Sequence, residues 1–310
     1  MSLRIEDKWI WDFWLATNED EYHLFYLQAP RELVDPDLRH VNATVGHAVS
    51  TDLMKWTVLD DALGPGLPGA WDGLATWTGC VVQNGNGWYM FYTGASRVNN
   101  EIVQSVGAAK STDLTNWSKV PGPLISADPR WYETLEEKDW FEEVWRDPWI
   151  LTDEDGLHHA LVTARAKDGP PDGRGVVGHA TSPDLLNWEV KPPLSTPGDF
   201  GHIEVLQLAA ANGGHALVFS CDAERVSSAR RARLESEPED ATYLLAVRSP
   251  LGPFDLEEAR PALPINMYSG RLVTRLDGSL VWLAFVNHNE AGEFVGELSD
   301  PIPYEAEWSP

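Results

Sequence analysis

Three acidic residues, Asp12, Asp147 and Glu204, lie far apart in the chain yet hold comparable places in it. Each opens an apolar run of strand character, and each precedes a matched residue of the following run, Tyr26, Val162 and Val218, by nearly the same interval. If those runs are the innermost strands of repeated sheets around one axis, the three carboxyls converge there. Crowding of like charges raises at least one pKa, which sets a neutral acid beside an ionised partner. Cleavage of a glycosidic bond needs that pair: a proton donor for the leaving oxygen and an anion facing an oxocarbenium-like centre. Taken singly, Asp12 reads equally well as a solvated strand end, Asp147-Pro148 as a turn and Glu204 as a rim residue. The common register argues against three coincidences.

The elements that would position these residues are visible as a repeat. Val45-Gly-His-Ala-Val-Ser-Thr-Asp-Leu-Met-Lys-Trp56 recurs as Val106-Gly-Ala-Ala-Lys-Ser-Thr-Asp-Leu-Thr-Asn-Trp117 and as Val177-Gly-His-Ala-Thr-Ser-Pro-Asp-Leu-Leu-Asn-Trp188. A degenerate copy runs from Ala246 through Ser249-Pro250 to Phe254, and a short one lies at Gly296-Glu-Leu-Ser-Asp-Pro301. Each unit begins with two strand-like runs, and turns such as Asn18-Glu-Asp-Glu21, Asn84-Gly-Asn-Gly87, Asp153-Glu-Asp-Gly156 and Asp277-Gly278 join them. A hairpin, a third strand and a Trp-bearing outer strand make one four-stranded antiparallel blade. Five such blades predict an all-β, five-bladed β-propeller occupying residues 1–310 as a single catalytic domain. The Ser-x-Asp-Leu-x-x-Trp motif reads as structure rather than as five sugar sites. Its Ser and Asp suit local backbone bonding in a turn, and its Trp suits the gap between blades.

Composition narrows the partners. Lys and Arg total 23 against 48 Asp and Glu, a formal charge of −25 that repels phosphate backbones and anionic membranes. Neither nucleic acid nor a membrane is expected as a partner; a small-molecule carbohydrate is. Fifteen Trp suit both inter-sheet packing and stacking on sugar rings. Cys80 and Cys221 show no metal-like or redox-like spacing and read as small buried residues. No apolar run is long enough to span a bilayer and the first residues lack an apolar leader core, so the expected compartment is the cytoplasm. No Gly-rich phosphate loop, nucleophile elbow or metal-spaced His/Cys cluster is present, so no cofactor is required and no metal ligand is named. A structural calcium is compatible with an acidic channel.

Neighbours of the three carboxyls supply the remaining candidates. Arg146 reads either as a brace for a carboxylate or sugar hydroxyl or as a supporting salt bridge. Trp77 and Thr78 stand at the inner start of the second unit, Trp11 and Trp14 flank Asp12, His202 lies just before Glu204, and Tyr268 and Ser269 hold the equivalent place in the fifth unit. Two insertions interrupt the repeat. The first, 126–143, carries Trp131, Tyr132, Trp140 and Phe141 and suits a wall over the site or a dimer contact, while the second, 224–240, reads as a solvated charged loop.

The run His23-Leu-Phe-Tyr-Leu-Gln-Ala-Pro30, the Val45 repeat, Trp77-Thr-Gly-Cys80, Trp145-Arg-Asp-Pro148 and the later Glu204 together resemble the family 32 and family 68 glycoside hydrolases, the invertase, fructanase and levansucrase group. Trp11-Asp12-Phe13-Trp14 is similar to the nucleophile strand of the levansucrase branch. The resemblance implies Asp12 as nucleophile, Asp147 as transition-state stabiliser and Glu204 as general acid/base of a retaining β-fructofuranosidase. The Asn-Asp-Pro-Asn-Gly and Glu-Cys-Pro runs usual in invertases are absent, and the chain ends about where the propeller ends, so no C-terminal β-sandwich is expected. Three other readings stay open: an inverting arabinofuranosidase or xylosidase like those of family 43, a fructosyltransferase, and a non-catalytic sugar-binding propeller. The last would have a pocket without converging carboxylates. Oligomeric state is not encoded in these features.

Overall fold

The structure, a computed structural model, describes residues 3–18, 20–137, 140–211 and 214–304. Apolar alternation and turn chemistry produce hairpin after hairpin. The first sheet holds β1 (Lys8–Asn18), β2 (Glu21–Pro30), β3 (Thr44–Ser50) and β4 (Thr57–Val58). The second holds β5 (Ala75–Asn84), β6 (Gly87–Val98), β7 (Glu101–Ser111) and β8 (Ser118–Lys119), with β9 (Glu142–Glu143) added in parallel along β7. The third holds β10 (Trp145–Thr152), β11 (His158–Arg165), β12 (Gly175–Ser182) and β13 (Glu189–Lys191). The fourth holds β14 (Glu204–Ala211), β15 (Gly214–Cys221), β16 (Ala241–Val247) and β17 (Arg260–Pro261). In the fifth, β18 (Met267–Thr274) pairs with β19 (Leu280–His288), whose far edge is shared by β20 (Phe294–Leu298) and β21 (Ile302–Pro303).

The innermost strands β1, β5, β10, β14 and β18 pack in succession and β18 meets β1, which closes the five-bladed propeller. The amino-terminal segment helps to seal it, since the Leu298 N–H donates to the Leu3 carbonyl at 3.0 Å. Every expected hairpin is present; the first turn includes Glu19, which lies outside the described residues.

The repeated motif is structural, as its chemistry suggests. Asp52 Oδ1 accepts from the N–H groups of Met54 and Lys55, and Asp113 and Asp184 do the same for their own turns. The Leu that follows each Asp has positive φ, 62° at Leu53, 61° at Leu114 and 67° at Leu185. Its buried side chain offsets that strain. Trp117 meets Phe25 of the first blade edge-on at 5.6 Å, and Trp188 meets Phe91 of the second in the same way at 5.6 Å, so these rings wedge adjacent blades.

The second insertion departs from the expected solvated loop. It contains a short helix, α1 (Ser228–Arg231), whose Arg230 is buried and donates to the carbonyls of Leu256, Glu257 and Ala259. Carbonyls of the turn before the outer strand of the fourth blade recruit the guanidinium, which also stacks 4.6 Å from Phe200.

One irregularity recurs in every inner strand. The β-ladder slips between Trp11 and Phe13, Trp77 and Gly79, Arg146 and Trp149, Glu204 and Gln207, and Tyr268 and Arg271. At these bulges Asp12, Asp147, Val205 and Ser269 have positive φ, of 20°, 54°, 54° and 48°. A bulge re-aims a side chain that the pleat would otherwise bury between strands.

Candidate active site

The bulges open into one cavity of about 300 Å³ at the propeller axis, lined by Asp12, Asp147 and Glu204 together with Trp11, Trp77, Thr78, Arg146 and His202. Tyr268 reaches the same group by donating its hydroxyl to Glu204 Oε2 at 2.8 Å. Ser269 donates to Asp12 Oδ1 at 2.6 Å. Trp14 does not reach the cavity: it is buried in the blade and stacks on Phe25, because it lies beyond the bulge on a regular part of the ladder.

The common register of the three carboxyls needs one correction. Asp12 and Asp147 occupy bulge positions, but in the fourth blade that place belongs to Val205, and Glu204 stands one residue earlier, level with Trp11, Trp77, Arg146 and Tyr268. At a bulge two successive residues oppose one partner, so either can be turned to the channel. Strand alternation carries no mark of which one is.

Three of the five bulges are held by the preceding blade. Thr93 Oγ1 accepts from the Asp147 N–H at 2.9 Å, Asp147 Oδ2 accepts from the Val205 N–H at 3.0 Å, and Ser220 Oγ accepts from the Ser269 N–H at 3.1 Å. These bonds overdetermine backbone conformations that would otherwise be unfavourable by about 1–3 kcal/mol each.

The three carboxyls sit in different electrostatic settings. Asp12 receives hydroxyl donors on both oxygens, Ser269 on Oδ1 and Thr78 on Oδ2 at 2.8 Å. Burial raises its pKa, the bond from Ser269 opposes the rise, and the charge on Glu204 adds to it. Asp147 is buried and pushed up to about 7, by burial first; Arg146 opposes this, and Asp12 and Glu204 reinforce it. Glu204 is also pushed up by burial, but His202 and Arg146 more than reverse this and hold it well below the usual carboxylate range. Arg146 Nη2 donates to Glu204 Oε1 at 2.8 Å, Nη1 donates to Glu142 Oε1 at 2.8 Å and Gln104 Oε1 at 3.1 Å, and Nε lies 3.6 Å from Asp147 Oδ2. Arg146 is therefore a brace for three carboxylates, not a rim salt bridge.

Burial favours a proton on Asp147, pushed up to about 7, and raises Asp12 in the same direction, beside a Glu204 held low, and interacting groups of this kind titrate as a unit. Beneath them lies a second buried cation, Arg271, which donates to the carbonyls of Phe13 and Leu206 and is lowered to about 10 by burial.

His202, Glu204 and Asp222 bring ligand-type atoms within 4.8 Å of one another, the one such group of three found among the described residues. The hydrogen bonding does not suit a cation. Arg146 Nη2, which can only donate, faces His202 Nδ1 at 3.2 Å, so in the neutral ring the proton is on Nε2 and no lone pair is aimed at the two carboxylates. That Nε2 is buried and without a hydrogen-bond partner, 3.7 Å from Glu204 Oε2 and 3.5 Å from Asp222 Oδ2.

Several lining residues were not anticipated from sequence: Leu27, His40, Ile102, Glu142, Asp222 and Arg225; Phe141, one of the insertion's aromatics expected to wall the site, does line it. His40 is lowered to about 3 by burial and by the charge of Arg39, and its carbonyl accepts from Trp77 Nε1 at 2.6 Å. Most of these come from loops with no counterpart in the repeat. The signal available for Glu142 was its place just ahead of Arg146 in an insertion rich in aromatics.

A family model described as the N-terminal domain of glycosyl hydrolases family 32 matches residues 9–231. An insoluble isoenzyme of beta-fructofuranosidase from Arabidopsis thaliana is 32% identical over 182 residues, 55% of this chain and 28% of that protein. A fructan 6-exohydrolase from Beta vulgaris is 31% identical over 176 residues, 54% of this chain and 26% of that protein. The matched part thus spans little more than a quarter of these relatives' own length. Among solved structures, a Bombyx mori family 32 beta-fructofuranosidase mutant in complex with sucrose aligns with TM-score 0.69 at 20% identity, over 96% of this chain and 61% of that one. Bacillus subtilis levansucrase aligns with TM-score 0.70 at 13% identity, over 91% of this chain and 80% of that one. At these identities the structural likeness speaks for the fold.

Proposed function

Because the chain belongs to the glycosyl hydrolases of family 32, we propose that it is a retaining β-fructofuranosidase acting on sucrose or short fructo-oligosaccharides. The observation that carries this reading is the convergence of Asp12, Asp147 and Glu204 in one cavity with three distinct sets of partners. A sugar-binding propeller without catalysis would not gather like charges at such cost. The names of the sequence relatives and the sucrose held by the Bombyx mori protein support a fructoside as substrate.

In the first step Asp12 attacks the anomeric carbon, the glycosidic C–O bond breaks, and Glu204 gives its proton to the leaving oxygen. In the second, Glu204 takes a proton from water, the resulting hydroxide attacks the same carbon, and the ester to Asp12 breaks to release fructose. Asp147 holds sugar hydroxyls through the transition state. Proton donation needs Glu204 to carry a proton in the complex, and the acidic cluster it belongs to retains one below about pH 7. The same intermediate can pass fructose to a second sugar, so transfer and hydrolysis differ only in the acceptor.

Incubation with sucrose, 1-kestose and a panel of nitrophenyl glycosides tests this reading. Release of fructose from the first two, as the β anomer at first appearance, is expected. Arabinose or xylose released instead, or an inverted first product, would replace it with the family 43 type of chemistry. Glu204→Gln is expected to lower kcat/KM on sucrose about 10³-fold, and much less on a fructoside whose leaving group needs no protonation. The pH profile follows from the proton inventory. A required proton bound up to about 7 makes kcat/KM fall as pH rises through that value, and an unchanged rate between pH 6 and 9 would contradict it.

Among the described residues no helix is long and apolar enough to cross a membrane, and both cysteines are buried free thiols. Free thiols suit a reducing compartment, which supports the cytoplasm as the place of action and is tested by cell fractionation. Hydrolysis through the chain's own carboxylates requires no cofactor in this scheme.

A further inference from the structure

Phe141 is 58% exposed, yet it lines the cavity that holds the three carboxylates. The ring is firmly backed. The next residue, Glu142, begins β9, which pairs with β7 at Ile102, and its carboxylate accepts from Gln104 Nε2 at 2.7 Å and from Arg146 Nη1 at 2.8 Å. The ring leans on Trp140, with centroids 5.1 Å apart, and the guanidinium of Arg225 lies 5.1 Å from its centre. Trp140 is covered in turn by Arg165 at 3.7 Å, a buried side chain tied to Glu133 at 2.6 Å. An aromatic ring with one supported face and one open face loses little freedom on contact and presents an apolar surface of the kind that stacks on a sugar ring.

Asp12 is braced by Thr78 and Ser269. A chain of contacts links Phe141 to Glu204 instead: Glu204 is 3.7 Å from His202, His202 lies edge-on to Trp140 with centroids 6.2 Å apart, and the Trp140 and Phe141 rings have centroids 5.1 Å apart. Phe141 therefore stands on the Glu204 side, where the leaving oxygen is protonated.

We propose that Phe141 is the stacking platform for the leaving-group sugar and so determines the preference for fructosides whose leaving group is a pyranose ring. The inference rests on the reading of Glu204 as the general acid/base. Arg225 completes the platform. Its guanidinium makes no hydrogen bond or ion pair among the described residues and lies 4.9 Å from the Trp140 ring and 5.1 Å from that of Phe141, so its N–H groups remain for hydroxyls of a ring resting there.

The test compares sucrose with methyl β-D-fructofuranoside, which share the fructosyl part and differ in leaving group, glucose against methanol. Phe141→Ala is expected to raise KM for sucrose about five- to tenfold with little change in kcat, and to leave kcat/KM for the methyl fructoside within about twofold. Phe141→Tyr should restore the wild-type ratio, and Phe141→Leu, equally apolar but without a ring, should not. If both substrates lose activity together the ring merely props the site, and if neither does it contributes nothing; either result overturns the proposal. The exposed ring makes wild-type melting expected for the alanine variant, and should that variant fail to fold, the contrast between Leu and Tyr decides. If the unaltered protein cleaves neither fructoside, the functional reading fails on its own. The platform is then judged by calorimetric titration with glucose, where weaker binding by Phe141→Ala supports it and equal or absent binding overturns it.

Discussion

Replacing Asp12 by asparagine is expected to lower kcat on sucrose by a factor of about 10⁴ or more while the protein folds and binds the sugar nearly as before. The side chain is placed by a bulge whose geometry does not depend on its charge, and asparagine keeps one oxygen for the donors Thr78 and Ser269 that now reach both carboxylate oxygens. What it lacks is the anion that, in the proposed mechanism, forms the bond to the anomeric carbon. Losses of this size follow removal of a covalent nucleophile, because no other group can take its step. The smaller Asp12→Ala leaves a gap beside the anomeric centre, and azide entering it should restore turnover and give a fructosyl azide of inverted configuration. Activity of Asp12→Asn within tenfold of wild type, or azide rescue with retained configuration, would remove Asp12 from the role of nucleophile.

The same cavity explains why so much buried charge is tolerated. Arg146 meets Glu142, Glu204 and Asp147 at once, and its burial is compensated chiefly by Glu142 and Glu204, each 2.8 Å away, with Asp147 farther off at 3.6 Å. Two of those partners come from the third blade or the strand just before it, while Glu204 comes from the fourth. Blade packing and site electrostatics are therefore one structure, and a loss of register between the third and fourth blades would leave Arg146 and Glu204 each buried without the other.

Much of this was legible from sequence because the repeat is both local and long-range. Val-Gly-x-Ala and Ser-x-Asp-Leu-x-x-Trp mark third strands and their turns in three blades, and counting back from them finds the strands that carry Asp12 and Asp147. The exact channel-facing residue was harder to read. A bulge inserts a residue without altering the apolar pattern, and so Glu204 sits one place from where register alone put it. The loop residues were least legible. Asp222 and Arg225 approach the site from connections outside the repeat, where spacing has no partner to be compared with, and Phe141 was legible only as one of several aromatics in an insertion. Arg230 misled for a related reason: a run of charges reads as solvated unless one knows which carbonyls lie in front of it.

Asp147→Asn is expected to make the protein more stable at alkaline pH while lowering its activity about 10³-fold. Asp147 is 3% exposed, and its carboxyl is pushed up to about 7 from an ordinary value of 3.8, chiefly by burial. A group whose folded value is raised lends stability that is fully present below its unfolded value and is lost as pH rises through the folded one. At pH 8 the wild-type protein therefore bears the whole cost of a buried anion, and at pH 4 it bears little. Asparagine never bears it, yet its oxygen can still accept from Thr163 Oγ1 and the Val205 N–H, which now reach Asp147 Oδ2 at 3.1 and 3.0 Å. The variant should exceed wild type by about 1–3 kcal/mol in urea unfolding at pH 8, with the difference closing toward pH 4. Activity falls because the amide cannot supply the charge that the transition state draws on, nor carry the proton shared with Asp12 and Glu204. Equal destabilisation at both pH values would mean that Asp147 is retained for packing, and that the strain of holding it charged is not what the active site spends.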